Sequence, residues 1–225
     1  MPIRVMLAYV LPFVLYLLLT QIPAQFPDHY AWMYAVVVAV VGIVTIACLL
    51  NRRLIRPHRD VAAGVVVGVV GIVLWILLCH LRWEEALAGY LPGFLRPGER
   101  PGFNPFEEFS STAAVWGFVV VRFVGLAVLV PVAEELFWRG FLLRWLISPE
   151  FERPELWRFT PGSFAAVMLL FTAAHPEWFA AAVYCALLNG LVYWKRDLWN
   201  CIVAHGVSNL ILGIYVLGTG AWQLW

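Results

Sequence analysis

Long apolar runs alternate with short polar segments along this chain, and the lengths of the runs set the first expectation. Runs poor in charge cover roughly residues 4–20, 31–50 and 61–81, and others lie near 163–175, 178–194 and 198–217, with a longer one over 112–147. A helix rising 1.5 Å per residue needs about 20 apolar residues to cross a hydrocarbon core of roughly 30 Å. The pattern therefore predicts an all-α, polytopic transmembrane helix bundle of about seven (seven or eight) spans. The run 163–175 is short, and Pro176 is expected to end it before it crosses the whole bilayer. Gly64 and Gly68 in the third run present a small face to a neighbouring helix.

Composition agrees with that reading. Of 225 residues, 63% are hydrophobic and 13% charged, and mean hydropathy is +0.82. A soluble domain carries about 25% charged residues, so no soluble core could hide this surplus. The lipid bilayer is thus the first expected partner. A net charge of +1 with no basic stripe excludes nucleic acid as another. Cys48, Cys79, Cys185 and Cys201 stand singly in apolar runs and read as small buried hydrophobes. Arg4 and the apolar stretch after it resemble the start of a signal peptide. Residues 21–30 offer no small-x-small cleavage site, so the segment reads as a first membrane helix.

Basic residues set the direction. With the 51–60 loop (Arg52, Arg53, Arg56, Arg59) in the cytoplasm, Arg4, Arg139, Arg144, Arg153, Arg158, Lys195 and Arg196 fall on or near the same side. Arg82, Arg96 and Arg100 fall in an outer loop, and Arg122 lies in a helix. The positive-inside rule then predicts a cytoplasmic amino terminus and, for seven spans, an external carboxyl terminus. The expected setting is a bacterial inner (plasma) membrane. Residues 1–110 read as amino-terminal helices and an outer loop without a signature, and 111–225 as the chemical core of one integrated membrane domain.

The run 112–147 is too long for one simple span, since its residues would stretch ~54 Å as a straight helix. Arg122 and Arg144 are expected to snorkel to opposite interfaces, leaving 103–118 at the outer surface. Glu134 then falls near mid-membrane, one turn after Pro131, a candidate kink. Carboxylates at that depth are expensive and are expected to face the protein interior and to serve a function.

Other polar residues in apolar runs are His175, His205 and Asn209. Counted from the cytoplasmic ends of their helices, their depths are ~18, ~10 and ~16 Å, and Glu134 is at ~15 Å. Three helices thus bring polar groups to one level. Glu135 and Arg139 are i and i+4, a spacing suited to an ion pair, which leaves Glu134 on another side to face the histidines. Glu134 reads as a general base or metal ligand, with Glu135 and Arg139 as its supporting pair. Asn209 shares a face with His205 and could donate to an oxyanion. Asn189 reads as a bridge between helices, and Ser208 has no base of its own.

These residues form three ordered motifs: Glu134-Glu135-Leu-Phe-Trp-Arg139, Phe171-Thr-Ala-Ala-His175 and His205-Gly-Val-Ser-Asn209. Together they resemble the E-E-x-x-x-R, F-x-x-x-H and H-x-x-x-N/D pattern of the CAAX protease and bacteriocin-processing enzyme family, which includes the type II CAAX prenyl endopeptidases. The resemblance covers roughly 115–217. It implies an intramembrane protease acting on a membrane-associated polypeptide. Glu134 and His175 would activate water, and His205 and Asn209 would stabilise the oxyanion. A second assignment makes Glu134, His175 and His205 ligands of a catalytic zinc; no H-E-x-x-H is present, so a zincin-type site is excluded by pattern. Readings from other classes are a non-proteolytic family member acting as scaffold or self-immunity protein, and a proton-coupled carrier. The carrier reading is weakened because no inverted repeat is visible.

Overall fold

The apolar runs fold as helices in the computed structural model, which describes residues 3–51, 54–93 and 102–225. The first half gives α1 (Ile3–Leu19), α2 (Tyr30–Asn51), α3 (Ala62–Leu81) and the short α4 (Trp83–Ala88) and α5 (Pro105–Glu108). The second half gives α6 (Thr112–Trp145), α7 (Pro161–Ala173), α8 (Trp178–Lys195) and α9 (Trp199–Thr219). No strand occurs among the described residues, and the protein is an all-α, multi-pass membrane bundle. Arg52, Arg53, Arg96 and Arg100, which entered the orientation argument, lie outside the described residues.

Among the described residues five stretches, built on α1, α2, α3, α6 and α9, are long and apolar enough to cross a bilayer. Two expected spans are shorter. The 13 residues of α7 and the 18 of α8 rise only about 20 and 27 Å. Helix α7 begins where the Thr160 hydroxyl accepts from the Ser163 N–H and Pro161 occupies the first turn. It stops at Ala173, two residues before the position that Pro176 drives out of helical geometry.

The 112–147 run departs most from expectation. It is one helix of 34 residues, and residues 112–118 belong to it rather than to the surface: Val115 and Phe118 are buried. Two π-helical segments, Gly125–Leu129 and Leu136–Leu142, interrupt it. The first immediately precedes Val130 and Pro131. A proline lacks an N–H and crowds the carbonyl four residues back, and a wider π turn accommodates both defects without breaking the helix.

Neither Arg122 nor Arg144 snorkels; both are buried. The Arg122 guanidinium lies 4.6 Å from the Tyr34 ring centre, with Nη1 donating to the Tyr30 hydroxyl at 3.1 Å. Arg144 donates from Nε to the Gly140 carbonyl at 2.8 Å and sits 4.1 Å from the Trp157 ring centre. Ring faces and carbonyls replace water for these two cations, so neither must reach an interface. Arg139 is also buried, so it and Arg144 are internal residues rather than part of a basic cytoplasmic surface.

The bundle closes around α3. Its Gly64 N–H donates to Asn200 Oδ1 of α9 at 3.0 Å. A methyl group on Gly68 would stand 2.5 Å from the Ala204 carbonyl oxygen, and one on Gly71 would stand 2.6 Å from the Tyr184 ring. Backbone blocks the first approach, so the small face of α3 is what lets α8 and α9 pack closely. Gly68→Ala is expected to cost about 1–3 kcal/mol through overpacking. Gly42→Ala, with nothing within 4 Å of the new carbon, should cost far less. Thermal melting of both variants in detergent would compare them, and equal melting temperatures would contradict the packing argument.

Candidate active site

Glu134 and Glu135 occupy the short α-helical stretch Val130–Glu135 between the two π segments of α6. Glu135 is completely buried. Its Oε1 accepts from Arg139 Nη1 at 2.9 Å and lies 2.9 Å from His205 Nδ1 of α9. Arg139, also fully buried, donates from Nε to Asn189 Oδ1 of α8 at 3.1 Å. Its guanidinium lies 5.0 Å from the ring centre of Phe171 in α7. One carboxylate oxygen and one guanidinium therefore tie four helices together. The i, i+4 pair read from sequence is present, and Asn189 bridges helices as expected. The contact of Glu135 with His205 was not anticipated, because 70 residues separate them.

Glu134 points elsewhere. Successive residues of a helix are turned by about 100°, so two adjacent carboxylates cannot share one environment. Glu134 is 9% exposed, and its Oε2 has no hydrogen-bond partner. It lines a cavity of about 290 Å³ with His175, His205 and Asn209. These four residues come from α6, the α7–α8 turn and α9, and the structure brings them to a single space. Glu135 and Arg139 do not line that space; they stand behind it.

Each neighbour of Glu134 is oriented by a bond of its own. His175, the last residue of the run 163–175, lies in the turn after α7 rather than within the helix, since α7 begins at Pro161 and ends at Ala173. Its Nδ1 is 2.7 Å from the Phe171 carbonyl oxygen, and its ring stacks on Phe171 at 4.4 Å. A nitrogen facing a carbonyl carries the proton, so Nε2 is the basic nitrogen of a neutral His175. At His205 it is the Glu135 carboxylate that Nδ1 faces. Asn209 donates from Nδ2 to the Leu126 carbonyl oxygen at 2.8 Å. That carbonyl belongs to the first π segment, where the widened turn frees oxygens for side-chain donors.

Three lining residues escaped the motif reading. Tyr184 donates to Ser208 Oγ at 2.9 Å, and Ser208 Oγ lies 2.8 Å from the Gly68 carbonyl oxygen, joining α8, α9 and α3. Trp75 meets the His175 ring edge-on at 5.8 Å. Arg122 also borders the cavity. Only Arg122 carried a sequence signal, a charge inside an apolar run. His58 and His80 stay outside, near Asp197 and Tyr215 respectively.

Holding Nδ1 on a carbonyl or carboxylate would suit a metal on Nε2 of either histidine. Yet among the described residues no three His, Cys, Asp or Glu side chains converge enough to hold an ion. The set Glu134, His175 and His205 does not fit a zinc.

This site defines a class: a multi-pass membrane protein with a carboxylate, two histidines and an amide around a buried cavity. Residues 115–211 match the family model described as type II CAAX prenyl endopeptidase Rce1-like, a segment that carries every residue of that set. Over that segment the chain is similar to the type II CAAX prenyl endopeptidases. No curated protein and no solved structure matches it.

The two carboxylates should differ in what their removal does to stability. Glu135→Ala leaves the Arg139 charge uncompensated in the interior, a loss of about 3–5 kcal/mol, or on the order of 10 °C in melting temperature. Glu134→Gln keeps the shape and removes no bond to Oε2, so its melting temperature should stay near that of wild type. Melting curves in detergent check both, and the reverse ranking would refute this division of labour.

Proposed function

We propose that this protein hydrolyses a peptide bond of a membrane-associated protein or peptide inside the bilayer. The observation that carries the reading is the contrast between adjacent carboxylates. Glu135 is engaged by Arg139 and His205, whereas Glu134 makes no ion pair among the described residues and lines the cavity with His175, His205 and Asn209. A scaffold would have no use for a buried carboxylate held without an ion pair, since such a group costs stability.

In this reading Glu134 accepts a proton from water, and His175, through Nε2, shares in orienting and deprotonating it. The resulting hydroxide attacks the carbonyl carbon, and the carbonyl oxygen becomes an oxyanion. Asn209 stabilises that oxygen with the Nδ2 hydrogen not used on Leu126, and His205 assists it from Nε2. Collapse of the tetrahedral intermediate breaks the C–N bond, and the proton taken from water passes to the leaving amine. Glu135 holds the His205 ring in place throughout, as an orienting carboxylate does in other hydrolases. The distribution of Lys and Arg supports a cytoplasmic amino terminus, and we place the protein in a bacterial inner membrane.

Comparing peptide termini in membranes of cells expressing wild type or Glu134→Ala at matched levels tests the activity. Termini that depend on wild type are expected, falling about 10²–10⁴-fold in the variant. No change, with both proteins folded and abundant, would turn the reading toward a scaffold or immunity role. Cleavage should also survive dialysis against a chelator, because the donor set does not converge on an ion. A stoichiometric metal that is lost in His175→Ala, with activity, would overturn the metal-free mechanism.

A further inference from the structure

The helix ends of the bundle sort into two faces. On one of them the 54–61 loop meets the α8–α9 turn, where Lys195 Nζ donates to Asp60 Oδ2 at 2.7 Å and Trp199 Nε1 to the His58 carbonyl oxygen at 3.1 Å. On the other, the Phe179 N–H at the start of α8 donates to Glu84 of α4 at 2.9 Å, and His80 of α3 lies 3.2 Å from the Tyr215 hydroxyl. Arg56, Arg59, Arg153, Arg158, Lys195 and Arg196 belong to the first face, whereas Arg82 stands among Asp28, Glu84, Glu85, Glu107 and Glu108 on the second. The positive-inside rule makes the first face cytoplasmic.

The cavity of Glu134 is closed toward the first face and open toward the second. Inward of Glu134 and His205, the side chains of Leu136, Arg139, Leu188, Val192 and Cys201 are completely buried. The lining continues instead to Leu17 and Thr20 at and just after the end of α1, Ala174 after α7 and Leu224 after α9. Leu17 is 45% exposed, and Ala174 is exposed as well. The short α7 accounts for this opening. Its 13 residues rise about 20 Å, so a helix starting at the cytoplasmic face ends roughly 10 Å short of the far edge of a ~30 Å core. There a second cavity, of about 830 Å³ and bordered by His80, Glu84, Glu85 and Gln223, shares Leu224 with the first.

We propose that substrate and water reach Glu134 from the outer face of the membrane, through the gap left by α7, and that the substrate is a polypeptide segment already exported to that face. This rests on reading the cavity as a peptide-hydrolysing site. Hydrolysis consumes water, and a buried carboxylate acts as a base only on water that can reach it. The polar rim of the outer cavity offers that supply, and the close-packed side chains below Glu134 deny one from the cytoplasm. A segment lodged in the outer leaflet meets the apolar rim of Leu17 and Ala174 on entering, which favours its transfer. A segment arriving from the cytoplasm would have to break the Glu135–Arg139 pair that ties four helices together. Translocation of the polypeptide across the membrane is therefore the step that supplies this substrate.

The test measures access without turnover. In a full chain whose partly buried Cys48 and Cys79 are replaced by Ser, Leu212→Cys places a thiol in the cavity wall, and Arg158→Cys marks the cytoplasmic face. A charged, membrane-impermeant thiol reagent, methanethiosulfonate ethyltrimethylammonium, is applied to spheroplasts, which present the outer face, and to inside-out vesicles. Leu212→Cys is expected to react at least tenfold faster in spheroplasts, and Arg158→Cys at least tenfold faster in inverted vesicles. The proposal is overturned if Leu212→Cys reacts faster from the cytoplasmic face, equally from both faces, or from neither while the unfolded chain labels fully. Reaction of Arg158→Cys from outside overturns it as well. If Leu212→Cys fails to fold, Val130→Cys in the same wall takes its place. Peptide termini that depend on Glu134 should fall in exported segments, and termini confined to cytoplasmic segments contradict the outer entry. Labelling needs no active enzyme, so an absence of cleavage would refute hydrolysis and leave the access result standing.

Discussion

Most of this architecture depends on one buried ion pair. Glu135 and Arg139 are both fully inside the protein, in a part of the chain that also lies inside a membrane. Neither charge could remain there without the other, because water is not available to replace a missing partner. The pair then recruits what it needs to complete its bonding: Asn189 from α8, the Phe171 ring from α7 and His205 from α9. Satisfying two charges thus fixes how four helices sit around each other. The position of Glu134 follows from this arrangement, since locking residue 135 inward turns residue 134 toward the cavity.

What could be read from the sequence follows from how local each interaction is. Helices α2, α3, α8 and α9 were visible as apolar runs, and the Gly64–Gly68 face was visible as spacing. The Glu135–Arg139 pair was visible too, because i and i+4 neighbours meet on any helix. The gathering of Glu134, His175, His205 and Asn209 near one depth could be estimated from helical rise alone. Their bonding partners could not, since His205 meets Glu135 across 70 residues and Asn209 meets Leu126 across 83. Arg122 and Arg144 were assigned to the membrane surfaces for the same reason. The aromatic partners Tyr30 and Tyr34 of Arg122 lie far away in sequence and Trp157 meets Arg144 across a loop, and without them a buried arginine has no apparent compensation.

The amino-terminal half carries no motif, yet the site depends on it. Trp75 of α3 meets His175, and Gly68 of α3 presents the carbonyl near Ser208. Phe13 of α1 stacks on Phe137 at 4.7 Å, within the second π segment of α6. These contacts are made by aromatic surface and by the absence of side chains, properties that leave only a diffuse mark in a sequence. A helix that contributes a wall needs volume and shape more than a particular functional group.

The two π segments of α6 give this helix an articulated character. Each widens the turn and shifts the angular phase of everything that follows it. The six residues Val130–Glu135 are therefore set in azimuth separately from the Arg122 end and from the Arg144 end. A mutation that removed one residue from either π segment would restore regular winding there, and would swing the carboxylates around the axis while leaving the composition of the helix almost untouched. Insertion or deletion of single residues in α6 could retune such a site, a route of change that a residue-by-residue comparison of side chains would overlook.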